Sequence, residues 1–335
     1  MTKVLCFGEL LLRYSPELNG EWIRKNNITV YIGGAELNTA SALAKWNIPV
    51  SYITALPSHT LASEIVEEVE KRNIDCSRLL YSGERIGSYF LPQGADLKNS
   101  GVIYDRKHSA FWNLKRGEIN WDEVLKDITW FHFSAINPAL NEEMAMICKE
   151  ALEAARRKNC IISTDLNYRE KLWQYGKDPR AIMSSLVQYC DLVMGNIWAA
   201  EKMLGIEISE DVETKESQLM QSEKTAAAIM NSFPRCKTVA HTFRFEDGNG
   251  IRYFASLHNN KSQFVSQEMT ANAIVDKVGS GDTFMAGLIY GSIQNLPSQE
   301  MVNFAAAAAF DKLFIKGDST TSGVEAIMKG IKNYA

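Results

Sequence analysis

Short apolar segments bounded by polar residues or glycine recur along this chain, and helical patterns separate them. The apolar segments lie at 4–7, 50–54, 130–133, 160–163, 192–194 and 238–240. Their continuous apolar character is typical of strands that are buried on both faces. The helical patterns include those at 62–72, 142–158 and 178–189. Strands that alternate with helices favour the α/β class, with a doubly wound, mostly parallel sheet and helices on both faces.

Three further segments alternate apolar and polar residues and have no helix between them. They lie at 10–15, 86–91 and 102–106. This alternation predicts strands with one exposed face, outside the main sheet. We therefore expect a small β-sheet lid over a ligand cleft, built from insertions at about 10–32 and 85–107. Because such a lid has exposed edges that a second subunit could cover, a homo-oligomer formed through the lid is also expected.

Composition predicts one globular domain over 1–335. The 335 residues are 46% apolar and 23% charged, and no linker or low-complexity tract divides them. The formal net charge of -4 provides no basic footprint, so no nucleic-acid partner is expected. No apolar run approaches the roughly 18 residues of a membrane span, and no signal-peptide pattern is present, so we expect a cytoplasmic protein with no membrane partner. The polar segment 211–223 predicts a surface excursion.

Cysteine and histidine patterns give no sign of a metal site. The six cysteines lie far apart, without C-x-x-C spacing, and are predicted to be reduced and mostly buried. His132 lies within an apolar segment, and no second histidine stands at metal-ligand spacing, which favours a core residue.

The strongest local signal is the glycine turn at 276–284, which reads D-K-V-G-S-G-D-T-F and leads into a helical pattern. Unpaired backbone N–H groups at the start of a helix can bind an anion, so Gly279, Ser280 and Gly281 are predicted to hold a phosphate. Asp282 would stand beside that phosphate and is our candidate general base. The spacing excludes a dinucleotide fingerprint and a P-loop. Taken alone, the tetrapeptide fits a capped turn equally well.

A second signal lies at 33–44, where two glycines precede an alanine-rich helical pattern. Gly33 and Gly34 would let the backbone approach a ligand closely, and Asn38 could hydrogen-bond a polyol. Taken alone, a Gly-Gly turn before such a helix is more often a matter of packing.

Together the two segments resemble the signatures of the PfkB carbohydrate kinase family, G-G-x-x-x-N-x-A and D-x-x-G-[AS]-G-D-x-F. Further segments resemble the 2-keto-3-deoxygluconate kinases within that family, and they lie at 8–16, 87–90, 104–106, 131–134 and 165–169. The resemblance covers essentially the whole chain. It implies a ribokinase-like fold, ATP and Mg²⁺ as cofactors, and phosphorylation of the primary hydroxyl of 2-keto-3-deoxygluconate, also called 2-dehydro-3-deoxygluconate.

The resemblance also implies residues for each substrate. The sugar acid would contact Gly34, Tyr89, Tyr104, Arg106 and Arg169. The nucleotide would contact Asn167, Asn196, Thr242, Arg244, Gly279 and Gly281. Since arginine can bind a carboxylate bidentately, Arg106 and Arg169 suit a sugar acid. The alternative is that both are surface arginines, paired with Asp105 and Asp165.

Three departures from the family pattern affect these expectations. Asn47 stands where relatives have glycine, at a helix end that asparagine can also form. Ala199 replaces the acid of the N-x-x-E motif, so either Glu201 serves the metal site through water, or the metal relies mainly on the nucleotide phosphates. The segment 242–244 lacks the usual glycines. The rival functions are a fructokinase or ribokinase, and a non-catalytic sugar-binding regulator on the same fold.

Overall fold

The computed structural model describes residues 2–17, 22, 27–93, 101–209, 212–247, 250–260 and 262–333. Within these ranges the strands are β1 (Val4–Phe7), β2 (Leu11–Ser15), β3 (Thr29–Gly33), β4 (Val50–Ile53), β5 (Ala55–Leu56), β6 (Leu80–Tyr81), β7 (Gly87–Phe90), β8 (Ile103–Asp105), β9 (Trp130–Ser134), β10 (Ile161–Asp165), β11 (Leu192–Gly195), β12 (Thr238–Asp247), β13 (Gly250–Asn259), β14 (Gln263–Val265) and β15 (Met269–Ala271). The helices of the same ranges are α1 (Ala35–Lys45), α2 (Thr60–Glu70), α3 (Trp121–Val124), α4 (Glu142–Arg157), α5 (Pro179–Val187), α6 (Ile197–Leu204), α7 (Lys215–Ser232), α8 (Ser280–Ile293), α9 (Ser298–Lys312) and α10 (Val324–Asn333).

The main sheet has the strand order β14-β13-β12-β11-β10-β9-β1-β4, and β15 pairs with β13. The strands from β12 to β4 are parallel to one another, with Val4 opposite both Val50 and Trp130. Strands β1, β4, β9 and β11 are buried along their whole length, as the continuous apolar segments predicted. The doubly wound α/β prediction is confirmed. The antiparallel extension through β13 was not predicted, because Arg252, Ser256 and His258 interrupt its apolar run, although Ser256 and His258 are buried.

Helices cover both faces of this sheet and enclose two hydrophobic cores. One core includes residues of α1, α8 and α9, and the other includes residues of α4, α5 and α6. The alanines between Phe304 and Phe310 are buried, and a Cβ at Gly287 would overlap with Ala305, so α8 and α9 pack backbone against backbone. This contact fixes α8, whose first residues belong to the glycine turn.

The predicted lid is confirmed as a separate four-stranded sheet with the order β3-β2-β7-β8. Strands β2 and β7 are parallel, whereas β3 and β8 are antiparallel edge strands. The strands fall within the expected insertions, parts of which lie outside the described residues. Val30 on β3 and Ile103 on β8 expose 48% and 58% of their surface, so both edges carry an exposed apolar side chain.

The surface excursion expected at 211–223 is wrong for the residues from 215 onward, because these form the first half of α7. The helix begins with a capping box in which Thr214 and Ser217 bond each other's backbone N–H. Its buried positions include Gln218, Gln221 and Ser222, whose side chains bond nearby polar groups. Polar residues whose hydrogen bonds are satisfied can therefore face the core, so the polarity of a segment does not by itself show that the segment is exposed.

Several smaller expectations are confirmed. All six cysteines are buried free thiols. His132 is buried, and its Nδ1 lies 3.0 Å from the hydroxyl of Ser163. Asn47 has a left-handed φ of 60° directly after the end of α1, as a residue replacing a C-terminal glycine must. Among the residues that the structure describes, no helix is long and apolar enough to cross a membrane.

Candidate active site

The carboxyl ends of β10 and β11 and the strands of the lid enclose a cavity of about 410 Å³. Its walls contain every residue nominated from the sequence except Gly33 and Glu201. The nominated residues in the lining are Gly34, Asn38, Tyr89, Tyr104, Arg106, Asn167, Arg169, Asn196, Thr242, Arg244, Gly279, Ser280, Gly281 and Asp282. The fold therefore brings both signature segments to one site, at the sheet edge where doubly wound proteins bind ligands.

The glycine turn is built as an anion site. Gly279 has a left-handed φ of 81° and precedes α8, and a Cβ there would overlap with the carbonyl oxygen of Asp318. The Ser280 hydroxyl donates to the Ala309 carbonyl at 2.8 Å, which turns that side chain toward α9. The first backbone N–H groups of α8 have no acceptor within the helix, and they begin beside the cavity. This end of α8 can thus bind a phosphate through its backbone.

Asp282 is oriented by a chain of hydrogen bonds from α1. The amide nitrogen of Asn38 donates to Asp282 Oδ2 at 2.7 Å. The Asn38 amide oxygen accepts from the Ser319 hydroxyl at 3.2 Å, and this sets which way the amide points. Thr39 also donates to the Asp282 carbonyl, at 3.2 Å. Asn38, which was expected to bond the sugar, thus also holds the candidate base.

The half-buried carboxyl of Asp282 has an unusual affinity for protons. Burial raises its pKa to about 8, and the carboxyls of Asp165 and Glu36 act in the same direction. The hydrogen bond from Asn38 and the charge of Arg169 act in the opposite direction. A carboxyl that readily accepts a proton, beside an anion site, suits general-base chemistry on a hydroxyl group.

Arg106 is in the cavity wall, but its charge already has a partner. It is only 3% exposed, and its Nε donates to Glu9 Oε2 at 2.6 Å. The Ser109 hydroxyl donates to the other oxygen of Glu9. Asp105, the alternative partner, is instead paired with Arg85. Glu9 was missed by the sequence analysis, although an acid directly after the glycine that ends a buried strand could have drawn attention.

Arg169 differs from Arg106 in its surroundings. Its guanidinium is half-buried, lines the cavity and donates to the Tyr168 carbonyl at 3.0 Å. Within the described ranges, no carboxylate forms a salt bridge with it, whereas the analogous group of Arg106 is held by Glu9. The expected surface pair with Asp165 does not appear among the described contacts. Arg169 can therefore bind an anionic ligand without first leaving a protein carboxylate.

Glu36 is a second carboxyl that the sequence analysis missed. It is buried in the first turn of α1, and its Oε1 accepts from the backbone N–H and the hydroxyl of Ser134, at 2.9 and 2.6 Å. Burial raises its pKa to about 7. Position 36 is an acid within an otherwise small and apolar helix, which was the available signal. Its buried charge raises the pKa of Asp282 and contributes to the electrostatics of the site.

Asn196 and Glu201 occupy different parts of α6. The Asn196 side chain caps the helix by accepting the Ala199 N–H at 2.8 Å, and it lines the cavity. Glu201 pairs with Lys202 and does not belong to the lining. In the described part of the chain, no group of three or more acidic, histidine or cysteine residues could hold a metal by itself. A metal ion here would need ligands from a bound substrate.

The family model described as pfkB family carbohydrate kinase matches residues 1–320 of the chain. The chain belongs to this family, and a kinase of the family uses ATP as its phosphoryl donor. The anion site, the base and the lid described above are consistent with that chemistry. The family and the ribokinase-like fold expected from the sequence are thereby confirmed.

Several proteins that are similar to this chain carry the names of sugar-acid kinases. The crystal structure of a 2-dehydro-3-deoxygluconokinase from Thermotoga maritima matches with a TM-score of 0.91 at 34% identity, over 99% of this chain and 100% of that chain. A 2-dehydro-3-deoxygalactonokinase from Haloferax volcanii is 26% identical over 98% of this chain and 97% of its own. A 2-dehydro-3-deoxygluconokinase from Bacillus subtilis is 24% identical over 94% of this chain and 90% of its own.

Proposed function

We propose that this kinase transfers the γ-phosphoryl group of ATP to the primary hydroxyl of 2-keto-3-deoxygluconate. The observation that carries the proposal is that Arg169 lines the same cavity as Asp282 and the glycine turn. A sugar acid needs a cation for its carboxylate and a base for its hydroxyl, whereas a neutral sugar needs only the base. The Thermotoga maritima relative, a 2-dehydro-3-deoxygluconokinase by name, supports the same acceptor.

In the proposed reaction, Asp282, the glycine turn and Arg169 each have a separate role. The hydroxyl oxygen of the sugar attacks the γ-phosphorus, the bond to the bridging oxygen of ADP breaks, and Asp282 takes the hydroxyl proton. Backbone N–H groups at Gly279–Gly281 hold the transferring phosphoryl group at the positive end of α8. Arg169 holds the sugar carboxylate, with Tyr89, Tyr104 and Arg106 around it. Phosphoryl transfer depends mainly on positioning and charge stabilisation, and these are the tasks that this set of groups would perform.

ATP is proposed to bind on the side of the cavity formed by Asn167, Asn196, Thr242 and Arg244. A Mg²⁺ ion bound on this side of the cavity would neutralise the charge of the ATP phosphates. The oxygen-rich wall suits this ion, because Mg²⁺ prefers hard oxygen ligands and keeps several waters. Asp165, which is buried at the carboxyl end of β10, is better placed than Glu201 to bind such waters.

Two further acceptors need to be separated from this proposal. The Haloferax volcanii relative is a 2-dehydro-3-deoxygalactonokinase, so the C4 epimer of the proposed substrate is the nearest rival. Fructose and ribose are neutral rivals that would leave Arg169 without a function. A non-catalytic regulator is disfavoured by the oriented Asp282 beside an intact anion site.

The test is an assay of ADP release across 2-keto-3-deoxygluconate, its C4 epimer, 5-dehydro-2-deoxygluconate, fructose and ribose. We expect kcat/KM to be highest for 2-keto-3-deoxygluconate, and at least about tenfold lower for both neutral sugars, because each lost charge-assisted contact is worth roughly a factor of ten or more. Equal or faster turnover of fructose or ribose would overturn the proposal. Tight binding of sugar acid without any ADP release would favour the regulator.

We also propose a cytoplasmic, homo-oligomeric protein. ATP is a cytoplasmic substrate, and six free buried thiols are typical of a reducing compartment. The exposed edges of the lid at β3 and β8 are the proposed contact surface between subunits.

A further inference from the structure

Asp318 lies outside both signature segments, yet it contacts residues of both. It follows α9 and is 3% exposed. Its Oδ2 accepts a hydrogen bond from the Tyr89 hydroxyl at 2.6 Å, and its Oδ1 lies 2.8 Å from Arg13 Nε. The same carboxylate packs so closely on Gly33 that a Cβ there would overlap with it. Asp318 therefore touches three lid residues, on β7, β2 and β3.

The main chain beside Asp318 touches the other half of the site. The Asp318 carbonyl oxygen packs on Gly279, where a Cβ would overlap with it. The adjacent Ser319 sets the orientation of Asn38, which in turn holds Asp282. The lid is thus connected through Asp318 to Gly279 of the phosphate turn, and through Ser319 and Asn38 to the candidate base Asp282.

The acid at the start of the glycine turn belongs to the same cluster. Asp276 is fully buried and pairs with Arg13 at 2.7 Å. Its carboxylate also accepts the Val278 N–H at 3.1 Å and the Gly317 N–H at 3.3 Å. Burial lowers the pKa of the fully buried Lys312, whereas the nearby carboxylates of Asp276 and Asp318 favour its charged form. Two carboxylates therefore lie beside Arg13 and Lys312 between the lid and the turn, away from water.

Such a cluster resists independent movement of its two sides. Separating buried opposite charges leaves each uncompensated in a poorly polarisable interior, which is strongly unfavourable. A lid that shifts when the sugar binds must therefore carry Asp318, and with it the carbonyl that supports Gly279. Tyr89 is the residue where this connection meets the cavity, since its side chain lines the proposed sugar subsite.

We propose that Asp318 is a positioning residue that couples the sugar subsite to the phosphate subsite, so that binding of either substrate strengthens binding of the other. The proposal rests on the proposed function only for the choice of ligand. By thermodynamic linkage the effect is reciprocal, and couplings of this kind amount to about 5- to 150-fold in affinity. A residue with a purely structural role would change stability but not this factor.

The test measures binding of 2-keto-3-deoxygluconate by titration calorimetry, with and without a non-hydrolysable ATP analogue and Mg²⁺. For the wild type we expect the analogue to tighten sugar-acid binding by at least about fivefold. In Asp318→Asn and in Tyr89→Phe we expect that factor to fall below about two. The analogue alone should bind each variant with an affinity within about twofold of the wild type, because neither side chain belongs to its proposed subsite. Tyr89→Phe keeps the ring and removes only the hydroxyl, so it remains informative if Asp318→Asn folds poorly.

Asp191→Asn is the matched control. Asp191 is a half-buried, ion-paired carboxylate at the amino end of β11, opposite the site, where it pairs with Arg156. Its replacement should lower the melting temperature and leave the coupling factor unchanged. The proposal is overturned if the wild type shows no coupling, or if both test variants keep the wild-type factor.

The two proposals fail in different ways. If the wild type does not bind 2-keto-3-deoxygluconate, the proposed function is wrong, and the same titrations are made with the acceptor that the ADP-release assay identifies. If the sugar acid binds and is phosphorylated but Asp318→Asn and Tyr89→Phe keep the coupling, the function stands and the role of Asp318 is wrong.

Discussion

Asp282 is held by neighbours that act in opposite directions on its pKa. Burial and the nearby carboxyls favour the protonated form, whereas Asn38 and Arg169 favour the charged form. With a pKa of about 8, its carboxylate binds a proton more readily than an ordinary aspartate does. The hydrogen bond from Asn38 keeps its carboxylate in one orientation, which a base must have to reach a bound hydroxyl.

Replacing this carboxylate should remove catalysis and spare binding. For Asp282→Asn we expect kcat to fall by about 10²- to 10⁴-fold, the usual loss of a general base. The affinity for an ATP analogue should stay nearly unchanged, because the phosphate is held by backbone N–H groups. Steady-state kinetics and titration calorimetry measure the two quantities. A variant that keeps more than about a tenth of the wild-type kcat would exclude Asp282 from this role.

The pKa of Asp282 also sets a pH dependence. In the free enzyme the base is protonated below its pKa, so kcat/KM should fall as pH drops through about 8. Asp165→Asn removes a negative charge that raises this pKa, so the acid limb should move to lower pH. Arg169→Ala removes a positive charge that lowers it, so the limb should move to higher pH. A limb that stays in place in both variants contradicts its assignment to Asp282.

Arg169 should select for the carboxylate of the substrate. Loss of one charge-assisted contact costs roughly 1.5 to 3 kcal/mol, or about 10- to 150-fold in kcat/KM. Measured at a pH above the acid limb of both enzymes, Arg169→Ala should lose that factor for 2-keto-3-deoxygluconate and change little for an analogue with the carboxylate reduced to an alcohol. Arg169→Lys should recover only part, because it keeps the charge and loses the fork geometry.

The control for this variant is Arg116→Ala, which removes an exposed arginine that pairs with Glu143, and neither residue belongs to the cavity lining. It should leave the kinetics with both compounds unchanged. If Arg169→Ala slows the acid and the neutral analogue equally, the guanidinium acts on the phosphates or the fold, and the argument for a sugar acid is lost.

At the scale of secondary-structure elements, the lid is held most strongly at β2 and has exposed residues on its edge strands. Arg13 ties β2 to the core through two buried carboxylates, whereas β8 has an exposed outer edge. Closure over a substrate should therefore involve β8 more than β2. Excluding water from phosphoryl transfer gives closure a chemical purpose.

Hydrogen exchange tests this movement. Sugar acid with an ATP analogue should protect the lid segments 10–15, 86–91 and 102–106 more than β1 (Val4–Phe7), which is buried in the main sheet in either state. Within the lid, the gain should be smallest at 10–15, where Arg13 already anchors the strand. Exchange that is the same in all these segments with and without ligands contradicts a moving lid.

The elements also show what the sequence could and could not predict. Hydrophobic periodicity placed the parallel strands and the lid, because short continuous apolar runs suit strands buried on both faces and alternation suits strands with one exposed face. It missed β13 and α7, because polar residues interrupt the apolar run of β13 and form part of the buried face of α7. The glycine turn and Asn38 were found through local chemistry. Glu9, Glu36 and Asp318 were not, because their roles arise from contacts between segments that are distant in sequence.

At the scale of the whole molecule, the lid that borders the site has two edge strands with exposed apolar side chains, within the part of the chain that the structure describes. Edge strands with exposed apolar side chains tend to pair with another chain unless something protects them. Val30 and Ile103 stand on the two edges and are about half exposed. A second copy of the chain would cover these residues and stiffen the lid over both sites.

The assembly is tested by light scattering after size-exclusion chromatography. The wild type should have at least twice the chain mass of 37.6 kDa. Ile103→Lys should shift it toward the monomer, because a lysine on an edge strand opposes pairing with another strand. Met220→Lys is the matched control, since Met220 is equally exposed but lies on α7, and it should leave the mass unchanged. If the wild type has the mass of one chain, or if Ile103→Lys and Met220→Lys have the same mass, the lid edges do not hold subunits together. In that case Val30 and Ile103 would be covered, if at all, only when the lid closes.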